Sequence, residues 1–178
     1  MDTKTHERII DQAFGPTAES LVPSAPASVF RLTTQDLIIF KNSSREADGI
    51  LNGGQRRDAS FKHAMRGWGQ SPAEAEAKFN AWIKYCLNLA SDLQRGGSHA
   101  SALQRLGLGM HALADKESQA HFGFQSWGGD GPLNIPGAYI HHVLESGVGR
   151  SHYQIKCAVI NLQTYYYEFL KKAGEVSK

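Results

Sequence analysis

Histidine and carboxylate residues recur in the later part of the sequence at helical spacing. They are, in chain order, His111, Asp115, His121, His141 and Glu145. The first two are four residues apart, and so are the last two, which places each pair on one face of a helix. Imidazole and carboxylate are side chains that bind zinc. The pattern therefore predicts a hydrolytic site that holds more than one metal ion.

The last pair leaves one choice open, because His142 adjoins His141. The four-residue relation to Glu145 favours His141, since side chains with that spacing meet on a helix. An exposed pair on a solvated helix would be worth only about 0.2–0.5 kcal/mol. The occurrence of two His/carboxylate pairs with this spacing favours a metal site over exposed pairs on the helix surface.

Composition indicates one globular unit. The 178 residues are 41% hydrophobic and 20% charged, which is enough apolar material for one substantial core. We therefore predict a single domain over residues 1–178. The net charge of +2 shows no nucleic-acid footprint and does not exclude one. Cys86 and Cys157 both lie in apolar helical patterns, which favours free thiols over a disulfide framework.

The sequence lacks the signature of a membrane span or of a leader. No apolar run reaches the roughly 18 residues that a bilayer requires, so no transmembrane segment is predicted. The first residues are polar and helical rather than a signal peptide. If the protein leaves its cell, we expect another apparatus or a larger parent chain to carry it.

Periodicity and capping signals predict helices and no strand of useful length, which makes the fold class all-α. His6 lies three and four residues before Ile9 and Ile10 on an apolar stripe and should point inward. A capping box with proline begins at Ser71. The predicted helices cover residues 5–14, a short segment around 37–40 capped by Thr33 or Thr34, residues 72–93, about 98–117 and about 152–171. Together with a helix for His141 and Glu145, these give a compact bundle of about six to eight helices around a zinc site.

Several segments resemble one known superfamily. The strings LGLGMHALADKESQAHF (106–122) and HHVLE (141–145) resemble the core of the zinc-dependent phospholipase C superfamily, which includes fungal single-strand-specific zinc nucleases. THERIIDQAF, SREAD and FKHAMRGWGQS occur upstream in the order of that superfamily's early ligands. The chain is also similar to phospholipase C-like domains at the C-termini of bacterial Rhs and other polymorphic toxins.

The resemblance implies two or three zinc ions and a ligand set. The early ligands would be His6, Asp48 and His63, with Asp58 as an alternative to Asp48. The implied first zinc has the ligands Asp48, His63, His111 and Asp115. The implied second has His121, His141 and Glu145. A third would use His6 and Asp115 with an N-terminal tryptophan, where this sequence has Met1.

The resemblance further implies a phosphodiesterase in which paired zincs activate a water molecule, while Asp48 serves as both ligand and base. Phospholipid is the expected substrate, and nucleic acid is the alternative. A different class of function, an inactive metal-binding domain that binds a partner, also stays open. As the toxin module of a secreted or contact-delivered effector, the chain would have a cognate immunity protein as partner.

Overall fold

The computed structural model describes residues 3–48, 57–67, 69–118, 121, 123–124, 126 and 151–176. Within these residues the helices are α1 (Thr3–Phe14), α2 (Thr34–Ala47), α3 (Pro72–Arg95), α4 (His99–Lys116) and α5 (His152–Ala173). Two 3-10 helices cover Ala27–Phe30 and Arg57–His63. The same residues contain no β-strand, only an isolated bridge between Arg66 and Ser126.

The all-α prediction is confirmed. Five α-helices in the described residues are slightly fewer than the six to eight predicted. The helix expected for His141 and Glu145 lies outside those residues. In the described part of the chain, no helix has both the length and the apolar character needed to span a bilayer, as expected from the sequence.

The predicted capping box at the start of α3 is present. Ser71 Oγ accepts a hydrogen bond from the Glu74 backbone N–H at 3.2 Å, and a Glu74 carboxylate oxygen accepts one from the Ser71 N–H at 2.8 Å. α3 ends at Arg95, and Gly97 then adopts a positive φ of 79° that suits glycine. This turn leads directly into α4, which carries His111 and Asp115.

α4 is the central helix, since it packs against α2, α3 and α5. Two of its glycines permit these close contacts. A Cβ at Gly107 would lie 2.7 Å from the Ser43 Cβ on α2. A Cβ at Gly109 would lie 2.5 Å from the Tyr165 hydroxyl on α5. Gly107 is one turn before His111, so the close approach of α2 and α4 occurs beside the candidate ligands.

α1 lies alongside α2 in the opposite direction. Glu7 forms an ion pair with Arg45 at 2.6 Å, and Asp11 forms one with Lys41 at 2.7 Å. These partly exposed pairs contribute at most about 1 kcal/mol each, but they define the register of the two helices. This register places His6, at 1% exposure, beneath the surface of the bundle.

The core around α5 is aromatic. The Phe14 ring lies 5.5 Å from the Phe40 ring and 5.3 Å from the Tyr166 ring, measured between centroids. Burial of each such side chain stabilises the fold by about 1.5–3 kcal/mol. The fully buried Gln163 donates hydrogen bonds to the carbonyls of Ala13 and Glu19 at 2.9 and 2.7 Å. It thereby ties the end of α1 to α5.

Candidate metal centre

Five of the eight predicted ligands come together inside the bundle. They arrive from four elements: α1 supplies His6, the C-terminal cap of α2 supplies Asp48, the last residue of the second 3-10 helix supplies His63, and α4 supplies His111 and Asp115. All except Asp48 are at most 2% exposed. Elements far apart in the sequence therefore converge on one buried cluster of imidazoles and carboxylates.

Asp115 lies at the centre of this cluster and uses both carboxylate oxygens. Its Oδ1 lies 3.2 Å from His6 Nε2. Its Oδ2 lies 3.0 Å from His63 Nδ1 and 3.1 Å from His111 Nε2. The Asp115 carboxylate thus contacts three histidines, one through Oδ1 and two through Oδ2.

Asp48 forms the more open side of the cluster. Its Oδ1 lies 3.4 Å from His111 Nε2 and 3.9 Å from His63 Nδ1. Its side chain is 22% exposed, whereas the Asp115 side chain is fully buried. Asp48 is therefore the carboxylate that a molecule from solvent would reach first.

The donor atoms are spaced suitably for a cation. Two groups, His6–His111–Asp115 and Asp48–His63–His111, each have their candidate ligand atoms within 4.8 Å of one another. Zinc with ligand bonds of about 2.0–2.2 Å in a tetrahedron separates its donor atoms by about 3.3–3.6 Å. The observed contacts of 3.0–3.9 Å bracket that range. These buried groups could hold a metal ion.

Electrostatics favour the protonation states that a metal requires at His6 and Asp115. Burial is the largest influence on His6 and, with His111 beside it, lowers its pKa to about 3. Burial alone would raise the pKa of Asp115, but the electrostatic influence of nearby groups, His111 and His121 among them, holds that pKa well below its ordinary value. At neutral pH the cluster contains a neutral imidazole and a carboxylate.

The pKa values of His111 and Asp48, in contrast, are raised. Burial opposes the charged form of His111, but Asp115 and Asp48 outweigh it and raise the pKa of the imidazole. The pKa of Asp48 is raised chiefly by burial, against the attraction of His111. A metal ligand must be a neutral imidazole, so metal binding at His111 would compete with a proton on its ring.

His6 provides a further indication that a cation fits. Its Nε2 is buried and, among the described residues, makes no hydrogen bond of regular geometry despite its 3.2 Å approach to Asp115. The ring stacks on His111 with centroids 4.2 Å apart and planes inclined by 22°. A buried polar atom without a good hydrogen bond is costly, and a metal ion between His6 and Asp115 would satisfy it.

The remaining predicted ligands are only partly described. His121 is 2% exposed, and its Nδ1 contacts the backbone carbonyl of His63. His121 belongs to neither of the two donor groups. Its predicted companions His141 and Glu145, like the alternative His142, lie outside the described residues. The side chain of Asp58 also lies outside them.

One residue of the site was not anticipated from the sequence. Ser44 Oγ lies 3.1 Å from His111 Nδ1, on the side of the ring that faces away from the carboxylates. Ser44 is one turn before Asp48 on α2 and 2% exposed. The four-residue spacing to Asp48 was the available signal, but serine is not a typical zinc ligand, so the spacing alone does not indicate a role for Ser44.

No protein-family model matches the chain, and neither a curated protein nor a solved structure matches it. A functional assignment therefore depends on the chemistry of the cluster and on the motifs in the sequence. Geometry constrains the type of site more closely than it constrains the substrate.

Proposed function

We propose that the chain is a zinc-dependent phosphodiesterase that resembles phospholipase C and hydrolyses phospholipid head groups. The observation that carries this proposal is the buried Asp115, whose two carboxylate oxygens face three histidines within 3.2 Å. A buried, ionised carboxylate among several imidazoles is costly to maintain for stability alone. Its presence is best explained by a cation.

The described donors would hold two ions, because Asp115 faces two sides. Asp48, His63, His111 and Asp115 Oδ2 would hold one ion, and His6 with Asp115 Oδ1 would hold another. A single imidazole nitrogen binds one metal, so His111 Nε2 is assigned to the first ion, where it lies 3.0 Å from His63 Nδ1. His121 would serve a further ion, together with the predicted ligands His141 and Glu145.

When bound, zinc ions would acidify a water molecule and stabilise the negative charge that develops on a phosphodiester. Asp48 would orient the water and accept its proton at a carboxylate oxygen. It suits that task because it is the most exposed member of the cluster and because burial raises its pKa. Asp115, which is fully buried, would serve only to hold metal.

A surface that begins with the two residues before His63 in the sequence supports a lipid substrate. Phe61 and Lys62 immediately precede His63, and the Lys62 ammonium lies 4.7 Å from the centroid of the Trp82 ring. Tyr85, 52% exposed, stacks on Trp82 with centroids 5.7 Å apart. Tryptophan, tyrosine and lysine combine an apolar body with a polar end, which suits the head-group region of a lipid surface.

The same surface supports nucleic acid as a second candidate. Exposed aromatic rings also stack on unpaired bases, and a lysine beside them would contact phosphate. The third candidate, a metal-binding domain without catalytic activity, retains the cluster but requires no substrate. In either catalytic case, we propose that the chain is a toxin module delivered into a target cell and that an immunity protein covers the metal cleft.

Hydrolysis assays on zinc-loaded protein test this proposal. Phosphorylated head groups released from mixed phospholipid vesicles would be measured beside degradation of single-stranded DNA and RNA, each with and without a chelator. Asp115→Asn removes the central metal-binding charge, while Asp92→Asn alters an exposed carboxylate on α3 and serves as the matched control.

We expect head-group release that the chelator and Asp115→Asn abolish and that Asp92→Asn retains. Degradation of nucleic acid alone would move the substrate to the second candidate. Full zinc occupancy with no turnover of any of these phosphodiesters would contradict the catalytic proposal and favour the binding domain.

A further inference from the structure

Ser44 in α2 and Asp48 at the C-terminal cap of that helix contact opposite nitrogens of the same imidazole. Ser44 Oγ lies 3.1 Å from His111 Nδ1, and Asp48 Oδ1 lies 3.4 Å from His111 Nε2. Ser44 and Asp48 are four residues apart and therefore share a face of the helix. The His111 ring is thus fixed at both ends by one element.

The direction of the Ser44 hydrogen bond follows from the surroundings of Nε2. That nitrogen faces Asp115 Oδ2 at 3.1 Å and His63 Nδ1 at 3.0 Å. When a metal ion occupies the space between these atoms, the lone pair of Nε2 binds it. Nδ1 must then carry hydrogen, and it donates that hydrogen to Ser44 Oγ.

We propose that Ser44 is a positioning residue that fixes the tautomer and the orientation of His111 for metal binding, an inference that rests on the proposed function. Histidine ligands to metals commonly donate their second ring N–H to a nearby oxygen, and loss of that oxygen typically weakens metal affinity by about 10- to 100-fold. Ser44 supplies such an oxygen. Without it, the opposite tautomer becomes accessible and turns an N–H toward the metal.

The packing around Ser44 explains why serine suits this position. Ser44 and His111 are each 2% exposed, so a water molecule has little access to replace the hydroxyl. Gly107, one turn before His111, allows α2 to approach closely through Ser43. A larger residue at 107 would separate the hydroxyl from the ring.

Ser43 offers a matched control in the same helix. It is 1% exposed, and its hydroxyl donates to the Ile39 carbonyl at 2.9 Å within α2. Ser43→Ala and Ser44→Ala therefore remove the same atom from two similarly buried positions. They differ in whether the hydroxyl is a partner of His111.

The test compares the affinity of both variants and of the wild-type chain for Zn²⁺, by competition with a chelating dye, and the visible absorption spectrum of each with bound Co²⁺. We expect Ser44→Ala to lose about 10- to 100-fold in zinc affinity and to change the Co²⁺ spectrum. Ser43→Ala should stay within threefold of wild type and keep the spectrum. A loss of stability alone would leave the spectrum unchanged.

Equal zinc affinities for Ser44→Ala and Ser43→Ala would overturn the inference. The imidazole ¹⁵N shifts of His111 in the zinc-loaded wild-type chain give a second measurement, which requires no variant to fold. Hydrogen on Nδ1 supports the inference, and a bare Nδ1 overturns it. Zinc binding without hydrolysis of any phosphodiester would contradict the proposed function but leave the comparison of the two serines decisive.

Discussion

His63 Nδ1 and His111 Nε2 lie 3.0 Å apart, and each is within 3.1 Å of Asp115 Oδ2. Two bare ring nitrogens at this separation would repel each other, so a proton or a metal ion must lie between them. A proton there would be lost as pH rises, whereas a metal ion would link α4 to the 3-10 helix that carries His63. The behaviour of the cluster with and without metal therefore tests its role.

Zinc should stabilise the folded chain. The ligands come from four elements that meet only in the native state, so a bound ion favours that state. At about 100 times the dissociation constant, one ion adds about 2.7 kcal/mol to the free energy of unfolding. For a chain of this size that corresponds to a rise of about 5–10 °C in Tm.

Thermal unfolding with added zinc, and again after a chelator, checks this expectation. The chelator should return Tm to its metal-free value. A Tm that responds to neither addition would indicate that the donor atoms do not form a metal site in solution.

Asp48→Asn should abolish most of the hydrolysis while leaving the fold intact. The change removes the proposed base and a metal-binding charge, so kcat should fall by at least about 100-fold. The sequence did not decide whether Asp48 or Asp58 is the early carboxylate ligand, and comparison with Asp58→Asn decides between them. Asp58→Asn should retain activity, and the opposite result would reassign the ligand to Asp58.

The metal-free protein should lose stability as pH falls below 6.5. The pKa of His6 is about 3 in the folded chain and 6.5 as an ordinary imidazole, so the unfolded chain binds more protons between these values. Folding stability therefore decreases as pH falls through that window, by at most about 1.4 kcal/mol per pH unit from this residue.

Urea unfolding of metal-free protein at pH 7, 6, 5 and 4 measures the slope of the free energy of unfolding against pH. His6→Gln removes the titrating group and should flatten it. His99→Gln, at an exposed histidine on α4, should leave the slope unchanged. Parallel slopes for wild type and His6→Gln would show that His6 does not lie buried and neutral in the folded chain.

Gly107→Ala should destabilise the protein and weaken zinc binding. Alanine favours a helix over glycine by about 1 kcal/mol, but its Cβ would lie 2.7 Å from the Ser43 Cβ. Overpacking of this kind costs about 1–3 kcal/mol, so we expect a net loss of stability. Separation of α2 from α4 would also move Asp48 and Ser44 away from His111.

Chemical denaturation and zinc competition measure these two effects. Ser101→Ala lies at an exposed position of the same helix and should change neither. If Gly107→Ala is as stable as wild type or more stable, the close packing of α2 on α4 at Gly107 is not required to hold the two helices in place.

Local signals predicted α3 and the spacing of the ligands on α4. The capping box at Ser71 and Glu74 is a short-range pattern, and the structure contains it. The four-residue gap between His111 and Asp115 likewise depends only on helix geometry. Such features need no knowledge of how distant parts of the chain meet.

The glycines after Asp48 predicted a helix-to-loop junction near that residue, but the length of α2 was not predicted because its later buried face is not apolar. Hydrophobic periodicity identified the region around Leu37 and Phe40, whereas the helix continues to Ala47. In that continuation the residues that face α4 include Ser43 and Ser44, which are buried but polar. Small residues permit close packing without a hydrophobic pattern, so this part of the helix has no apolar periodicity.

Convergence of His6, Asp48 and His63 on Asp115 could not be derived from spacing. These residues lie in separate elements, and only tertiary packing brings them together. The sequence resemblance suggested their order, but the contacts of each nitrogen with a particular oxygen required the fold. The role of Ser44 was missed for the same reason, since its partner is 67 residues away.

The most direct test of the metal site is the zinc content and zinc affinity of the purified chain, measured beside Asp115→Asn and Asp92→Asn by elemental analysis and dye competition. We predict at least two zinc ions per wild-type and Asp92→Asn chain, and a loss of at least about 100-fold in affinity for Asp115→Asn, because that carboxylate contacts His6 through one oxygen and His63 and His111 through the other. Zinc binding of equal strength in all three proteins, or no zinc in the wild-type chain after reconstitution, would contradict the account.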